Sequence, residues 1–112
     1  LYFTECASKA DLYATPFIER PGPTDGLLCL LLCRVTLGRV MSSDTLRPDV
    51  SKIQEALRCG SAHSFLGDRR LQNSYREFVV TDTAQAYPEW LIWYRRLDHG
   101  RWKTWWTNTF GQ

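Results

Sequence analysis

The sequence has little excess charge: 14 basic against 12 acidic side chains leave a net charge of only +2 over 112 residues. That balance gives no electrostatic footprint for nucleic acid, so direct nucleic-acid binding by this segment is not expected. Long apolar runs are also missing. The longest, residues 27–33, falls far short of the roughly 20 residues a bilayer-spanning helix needs, which argues against a membrane partner. No secretory signal is visible, and the chain opens on Leu1-Tyr2-Phe3 without an initiator Met, so its start reads as the interior of a domain. Internal repeats are absent. Cysteine pairs at metal spacing are absent too: Cys29 and Cys33 stand four apart with no second tight pair nearby, so no metal site is expected. An even count of four cysteines allows two disulfides, but Cys6, Cys29, Cys33 and Cys59 form no compact framework, and buried free thiols are the preferred reading.

What is present is bulk. Hydrophobic residues make up 44%, with five each of Trp, Tyr and Phe, enough for one modest core and against disorder. Tyr2-Phe3 favours a strand. Residues 8–13 read as one or two helical turns with Ser8 as N-cap. Residues 15–26, which hold three prolines and two glycines, must form a loop. Residues 27–35 read as a strand covered on both faces, with a buried helix as the alternative; Gly38 and Ser42-Ser43-Asp44 end it.

Residues 48–59 place Val50, Ile53, Ala56 and Leu57 on one helical face, with Asp49 as cap and Gly60 as stop. Residues 61–75 look polar and irregular. Residues 77–81 and 90–94 read as strands rich in branched and aromatic side chains. Regular strand–helix–strand alternation is weak, so an α+β fold with a mixed, mainly antiparallel sheet and short helices is expected.

Three segments, in order, carry a family likeness. The first runs from Leu1-Tyr2-Phe3 through Ser8-Lys9-Ala10 to Tyr13. The second is Leu32-Cys33-Arg34-Val35-Thr36-Leu37-Gly38. The third runs from Tyr75-Arg76-Glu77-Phe78-Val79-Val80 through Ala84-Gln85-Ala86-Tyr87-Pro88 to Ile92, and His63-Ser64-Phe65-Leu66-Gly67 precedes it. Over about residues 1–95 the chain resembles the C-terminal part of the poly(ADP-ribose) polymerase catalytic domain, its tankyrase-like branch above all. The resemblance implies an ADP-ribosyltransferase-like fold incomplete at its N-terminus, with residues 1–96 as the domain part and 97–112 as a Trp-rich tail.

It further implies an intracellular enzyme, nuclear or cytoplasmic, that takes NAD+ as co-substrate and protein acceptors as partners, releasing nicotinamide. Of the family's His-Tyr-Glu triad, Tyr2 matches the Tyr and Glu77 the catalytic Glu. No residue matches the His, which the family carries in an earlier strand; neither His63 nor His99 stands in that motif. Ser8, Lys9, Ala10 and Tyr13 fall at the donor pocket. Tyr13 matches the Tyr that stacks on nicotinamide. Ala10 replaces a Ser whose hydroxyl usually holds the nicotinamide amide, removing a hydrogen bond worth about 1 kcal/mol.

Two functions compete: a transferase once joined to its missing half, which Glu77 favours, and a degenerate NAD- or ADP-ribose-binding or protein-interaction module, which Ala10 favours. The tail tryptophans Trp102, Trp105 and Trp106 would dock a partner or cover the outer face of the last strand. Taken without the resemblance, Glu77 is a strand-edge carboxylate, Lys9 a solvated helix residue, and Tyr2 and Tyr13 core or rim aromatics.

Overall fold

The computed structural model describes residues 1–16 and 26–97. Among these residues it is an α+β protein with six strands: β1 (Tyr2–Phe3), β2 (Leu28–Val35), β3 (Val40–Ser43), β4 (Ser64–Asp68), β5 (Arg76–Val80) and β6 (Ala86–Tyr94). Two α-helices, α1 (Ala7–Asp11) and α2 (Val50–Cys59), accompany them, with short 3₁₀ turns at Arg70–Gln72 and Thr83–Gln85. The chain divides into two compact units, Leu1–Ala14 with Leu30–Ile92, and Thr15–Cys29 with Trp93–Gln112.

The first unit is built on a four-stranded sheet in the order β1-β5-β4-β3. β5 pairs antiparallel with both β1 and β4, while β3 and β4 run parallel. A parallel pair needs a crossover, and α2 supplies it. Asp49 caps α2 by accepting from the Lys52 N–H at 3.2 Å, which contributes about 1 kcal/mol. Gly60 ends it in the left-handed region at φ 79°, where a side chain is disfavoured. Ile53, Ala56 and Leu57 form its less exposed face, at the spacing an inward helical stripe requires, and α2 packs on β4. Ala62, Phe65 and Val80 are buried in this unit.

The strands beginning near Leu27 and Trp90 do not join that sheet: β2 and β6 form a separate two-stranded one. Here β2 departs from the expectation of a strand covered on both faces, since Leu31 and Leu32 point opposite ways and are 59% and 53% exposed. A two-stranded sheet consists of edges, which also explains how β6 accommodates Pro88 inside a strand. In the second unit Leu28 is buried, and Gly26 adopts φ 73° just before β2 begins.

Further expectations are corrected. Ser42-Ser43 does not end a strand but belongs to β3, and residues 61–75 contain β4, the inner partner of two neighbours. Ser8 is not the N-cap of α1; Cys6 holds that position, without a side-chain cap. The four cysteines are free, but none is buried: Cys6, Cys29 and Cys33 are half-buried, and Cys59 is exposed on the solvent side of α2. Residues 98–112 of the tryptophan-rich tail, His99 among them, lie outside the described residues.

The side chain of Gln85 ties the connection after β5 to its neighbours. Its amide N–H groups donate to the Thr36 and His63 carbonyls at 3.1 and 2.9 Å, and its oxygen accepts from the Asp82 N–H at 3.3 Å. Asp82 accepts from the Ala84 N–H at 2.9 Å, which completes a reciprocal cap on that turn.

Candidate active site

The register of the four-stranded sheet decides which side chains share a face. Tyr2 lies opposite Val79, Phe65 opposite Val79, and Gly67 opposite Glu77. Side chains two apart on a strand point the same way, so Tyr2, Phe65, Val79 and Glu77 belong to one face. Arg76, Phe78 and Val80 belong to the other, where the Arg76 guanidinium lies 5.7 Å from the Phe78 ring centre.

Local hydrogen bonding brings α1 to Glu77. The Thr4 hydroxyl donates to the Arg76 carbonyl at 2.9 Å and accepts from the Cys6 N–H at 3.2 Å, turning the chain from β1 into α1. Glu5 and Arg76 form a two-pronged ion pair, with Nε to Oε1 at 2.6 Å. These contacts join the approach to α1 with the start of β5, and Lys9 then reaches Glu77: Nζ stands 3.1 Å from Oε1. The Lys9 ammonium also lies 5.6 Å from the Tyr13 ring centre and 5.9 Å from that of Tyr75, within cation–π range. The hydrogen bond to Glu77, supported by its charge, raises the Lys9 pKa above the ordinary lysine value, so Lys9 is a cation at neutral pH.

Each residue singled out in the sequence has a definite place. Glu77 is the second residue of β5 and is partly exposed. Tyr13 joins it through Lys9, and Tyr2 shares its sheet face two residues along the register. Tyr2 and Tyr13 are 79% and 77% exposed, so the group is open to solvent. Ser8 is turned toward Cys6, with Oγ and Sγ 3.1 Å apart. That hydroxyl, with the backbone N–H groups of Lys9 and Ser8, favours the thiolate and lowers the Cys6 pKa. Ala10 lies within α1 and accepts the Tyr13 N–H at 3.0 Å through its carbonyl, while its methyl provides no donor.

Sequence reasoning missed two members of the group. Tyr75 puts its ring centre 5.9 Å from Lys9 Nζ, and Arg69 places Nη1 4.0 Å from Glu77 Oε2. Arg69 was visible only as half of a basic pair, and nothing in the spelling Arg69-Arg70 separates the two roles. In the structure Arg70 turns to Asp68, with Nε to Oδ1 at 2.9 Å, and holds that carboxyl down at about 2.

A cleft of about 310 Å³ lies elsewhere, lined in part by Gly38, Leu57, His63, Asp82 and Gln85. None of Tyr2, Lys9, Tyr13 or Glu77 borders it. There His63 Nδ1 accepts the Arg39 N–H at 3.0 Å, which fixes its ring against the turn at Gly38. The contiguity of a carboxylate, an ammonium and aromatic faces, and not cavity size, therefore marks the Glu77 group as the candidate site.

No protein-family model matches the chain, and a search of curated proteins finds no match. Among the described residues, no helix is long and apolar enough to cross a membrane.

Proposed function

We propose that this chain is the glutamate-bearing part of a poly(ADP-ribose) polymerase-type ADP-ribosyltransferase, which transfers ADP-ribose from NAD+ to protein acceptors and releases nicotinamide. The observation that supports it most is the Lys9–Glu77 contact at 3.1 Å, with Tyr13 beside Lys9 and Tyr2 on the same sheet face as Glu77. The family likeness assigns roles to these residues from two separate parts of the sequence, residues 1–13 and 75–92.

In this reading the bond between the nicotinamide nitrogen and ribose C1′ breaks, and nicotinamide leaves with the electron pair as a neutral base. Positive charge builds on the ribose, as in glycoside hydrolysis. Glu77 is the anion placed to stabilise that charge and to accept from a ribose hydroxyl. Lys9 holds the carboxylate, and Tyr13 offers a ring face to nicotinamide, worth roughly 0.5–1.5 kcal/mol beyond area burial. An acceptor oxygen then bonds to C1′. An acceptor hydroxyl gives its proton to Glu77 and thence to water; an acceptor carboxylate has none to give.

Ala10 favours a second reading, in which the chain binds NAD+ or ADP-ribose without turning it over, because the donor pocket lacks a hydroxyl at that position. Nicotinamide release from NAD+, measured with the full-length protein alongside labelling of protein by ADP-ribose, separates the two. Release with labelled protein supports the transferase. Calorimetric binding of NAD+ with neither product supports the binding module. Residues 1–112 alone, which contain no counterpart of the triad His, are expected to bind NAD+ weakly and not to transfer, because one-sided holding loses orientation worth as much as about 7–11 kcal/mol.

A further inference from the structure

Glu77 is approached by two cations at unequal range. Lys9 occupies Oε1 at 3.1 Å, whereas the Arg69 guanidinium stands back from Oε2 at 4.0 Å. The arginines of the Arg69-Arg70 pair have parted: the Arg70 side chain is 61% exposed and engaged by Asp68, while that of Arg69 is 24% exposed and lies between the Leu46 carbonyl, which accepts from Nη2 at 3.5 Å, and Glu77, which faces Nη1. Two features accompany that placement. Gly67 is the cross-strand partner of Glu77, and Arg69 Nη1 lies 3.4 Å from where a Cβ of Gly67 would stand, so the guanidinium lies against the sheet at ordinary contact distance beside Glu77. The backbone of Arg69 is also tied into the turn between β4 and β5. Its N–H donates to the Tyr75 carbonyl at 3.2 Å, and its carbonyl accepts from Gln72 and Ser74 at 3.1 and 3.0 Å.

Resting on the transferase reading, we propose that Arg69 is a positioning residue for Glu77, and that Oε2 is the oxygen that meets the substrate. A carboxylate held at one oxygen pivots about that contact. A second cation on the far side opposes the pivot by charge attraction, which acts at 4.0 Å without a hydrogen bond. At this distance Arg69 does not saturate Oε2, and a ribose hydroxyl keeps access to it. Lys9 thus fixes one oxygen, and Arg69 aims the other.

The test uses steady-state NAD+ consumption by the full-length protein with Arg69→Gln, Arg69→Lys and Arg70→Gln. Loss of orientation is expected to lower kcat roughly 10- to 100-fold in Arg69→Gln, with KM for NAD+ within about twofold of the unsubstituted value, since an orienting contact acts mainly on the reacting geometry. Arg69→Lys keeps a cation and is expected to recover most of the loss. Arg70→Gln, which removes the partner of Asp68 and not of Glu77, is expected to leave kcat unchanged. An unaltered kcat in Arg69→Gln overturns the proposal. So does a loss shared equally by Arg69→Lys and accompanied by a lowered melting temperature, which marks a structural role alone. Absence of NAD+ cleavage in the unsubstituted protein overturns the transferase reading itself, and the role of Arg69 falls with it.

Discussion

Lys9 Nζ lies 3.1 Å from Glu77 Oε1, although the two residues come from different chain segments of the first unit, Leu1–Ala14 and Leu30–Ile92. The pair is partly shielded, with side chains 19% and 33% exposed, and its net contribution to stability is small, on the order of 0–1 kcal/mol. Its pH dependence has a definite sign. The folded-state pKa of Lys9 is raised, so the stabilisation is fully present below the ordinary lysine value of 10.5 and is lost as pH rises through the folded value. Melting temperatures of the unsubstituted chain and Lys9→Met should therefore differ by a constant amount from pH 7 to about 10, and converge above that. A gap that widens with rising pH contradicts the pairing.

Asp68 gives the opposite sign. Its pKa is lowered to about 2, first through the hydrogen bond from the Arg70 side chain. A depressed carboxylate stabilises the fold above its ordinary value of 3.8 and ceases to do so as pH falls toward 2. Asp68→Asn is expected to be less stable than the unsubstituted chain at pH 5 and to match it near pH 2, measured by urea midpoints across that range. A difference of the same size at both ends assigns Asp68 another role.

Gly38 and Gly60 both have positive φ, at 60° and 79°, but their surroundings differ. A Cβ at Gly60 meets nothing within 4 Å, so Gly60→Ala should cost only the left-handed backbone, about 1–2 kcal/mol. At Gly38 it would stand 2.3 Å from His63 Nδ1, the atom that accepts the Arg39 N–H. Gly38→Ala should therefore be the more damaging, beyond about 2 kcal/mol, because it displaces His63 as well as straining the backbone. Chemical denaturation of the two variants checks the order. Equal costs would show that the turn at Gly38 relaxes freely.

Some of this architecture was legible in the sequence and some was not. α2 announces itself because its period, its Asp49 cap and its Gly60 stop agree, and all three are local. β5 is legible through Phe78-Val79-Val80, whose branched and aromatic side chains suit a strand whatever surrounds it. β4 is hidden: Ser64, Gly67 and Asp68 carry little strand propensity, and the strand exists because β3 and β5 pair with it on either side. β3 is hidden for the same reason, its Ser42-Ser43 resembling a stop until β4 supplies a partner. At the site, the family likeness singled out Tyr2, Tyr13 and Glu77. Tyr75 and Arg69 were not legible, because their nearness to Lys9 and Glu77 depends on how the turn between β4 and β5 folds back, and no local pattern encodes that.

The central claim is that the Glu77 carboxylate takes part in chemistry on NAD+. The most direct measurement is the transfer of labelled ADP-ribose from NAD+ onto protein by the full-length protein and by Glu77→Gln, which keeps the side chain's size and removes its charge. Losing a positioned carboxylate is expected to lower the rate on the order of 10²–10⁴-fold while the melting temperature stays nearly unchanged. Transfer by Glu77→Gln at the unsubstituted rate would contradict the account.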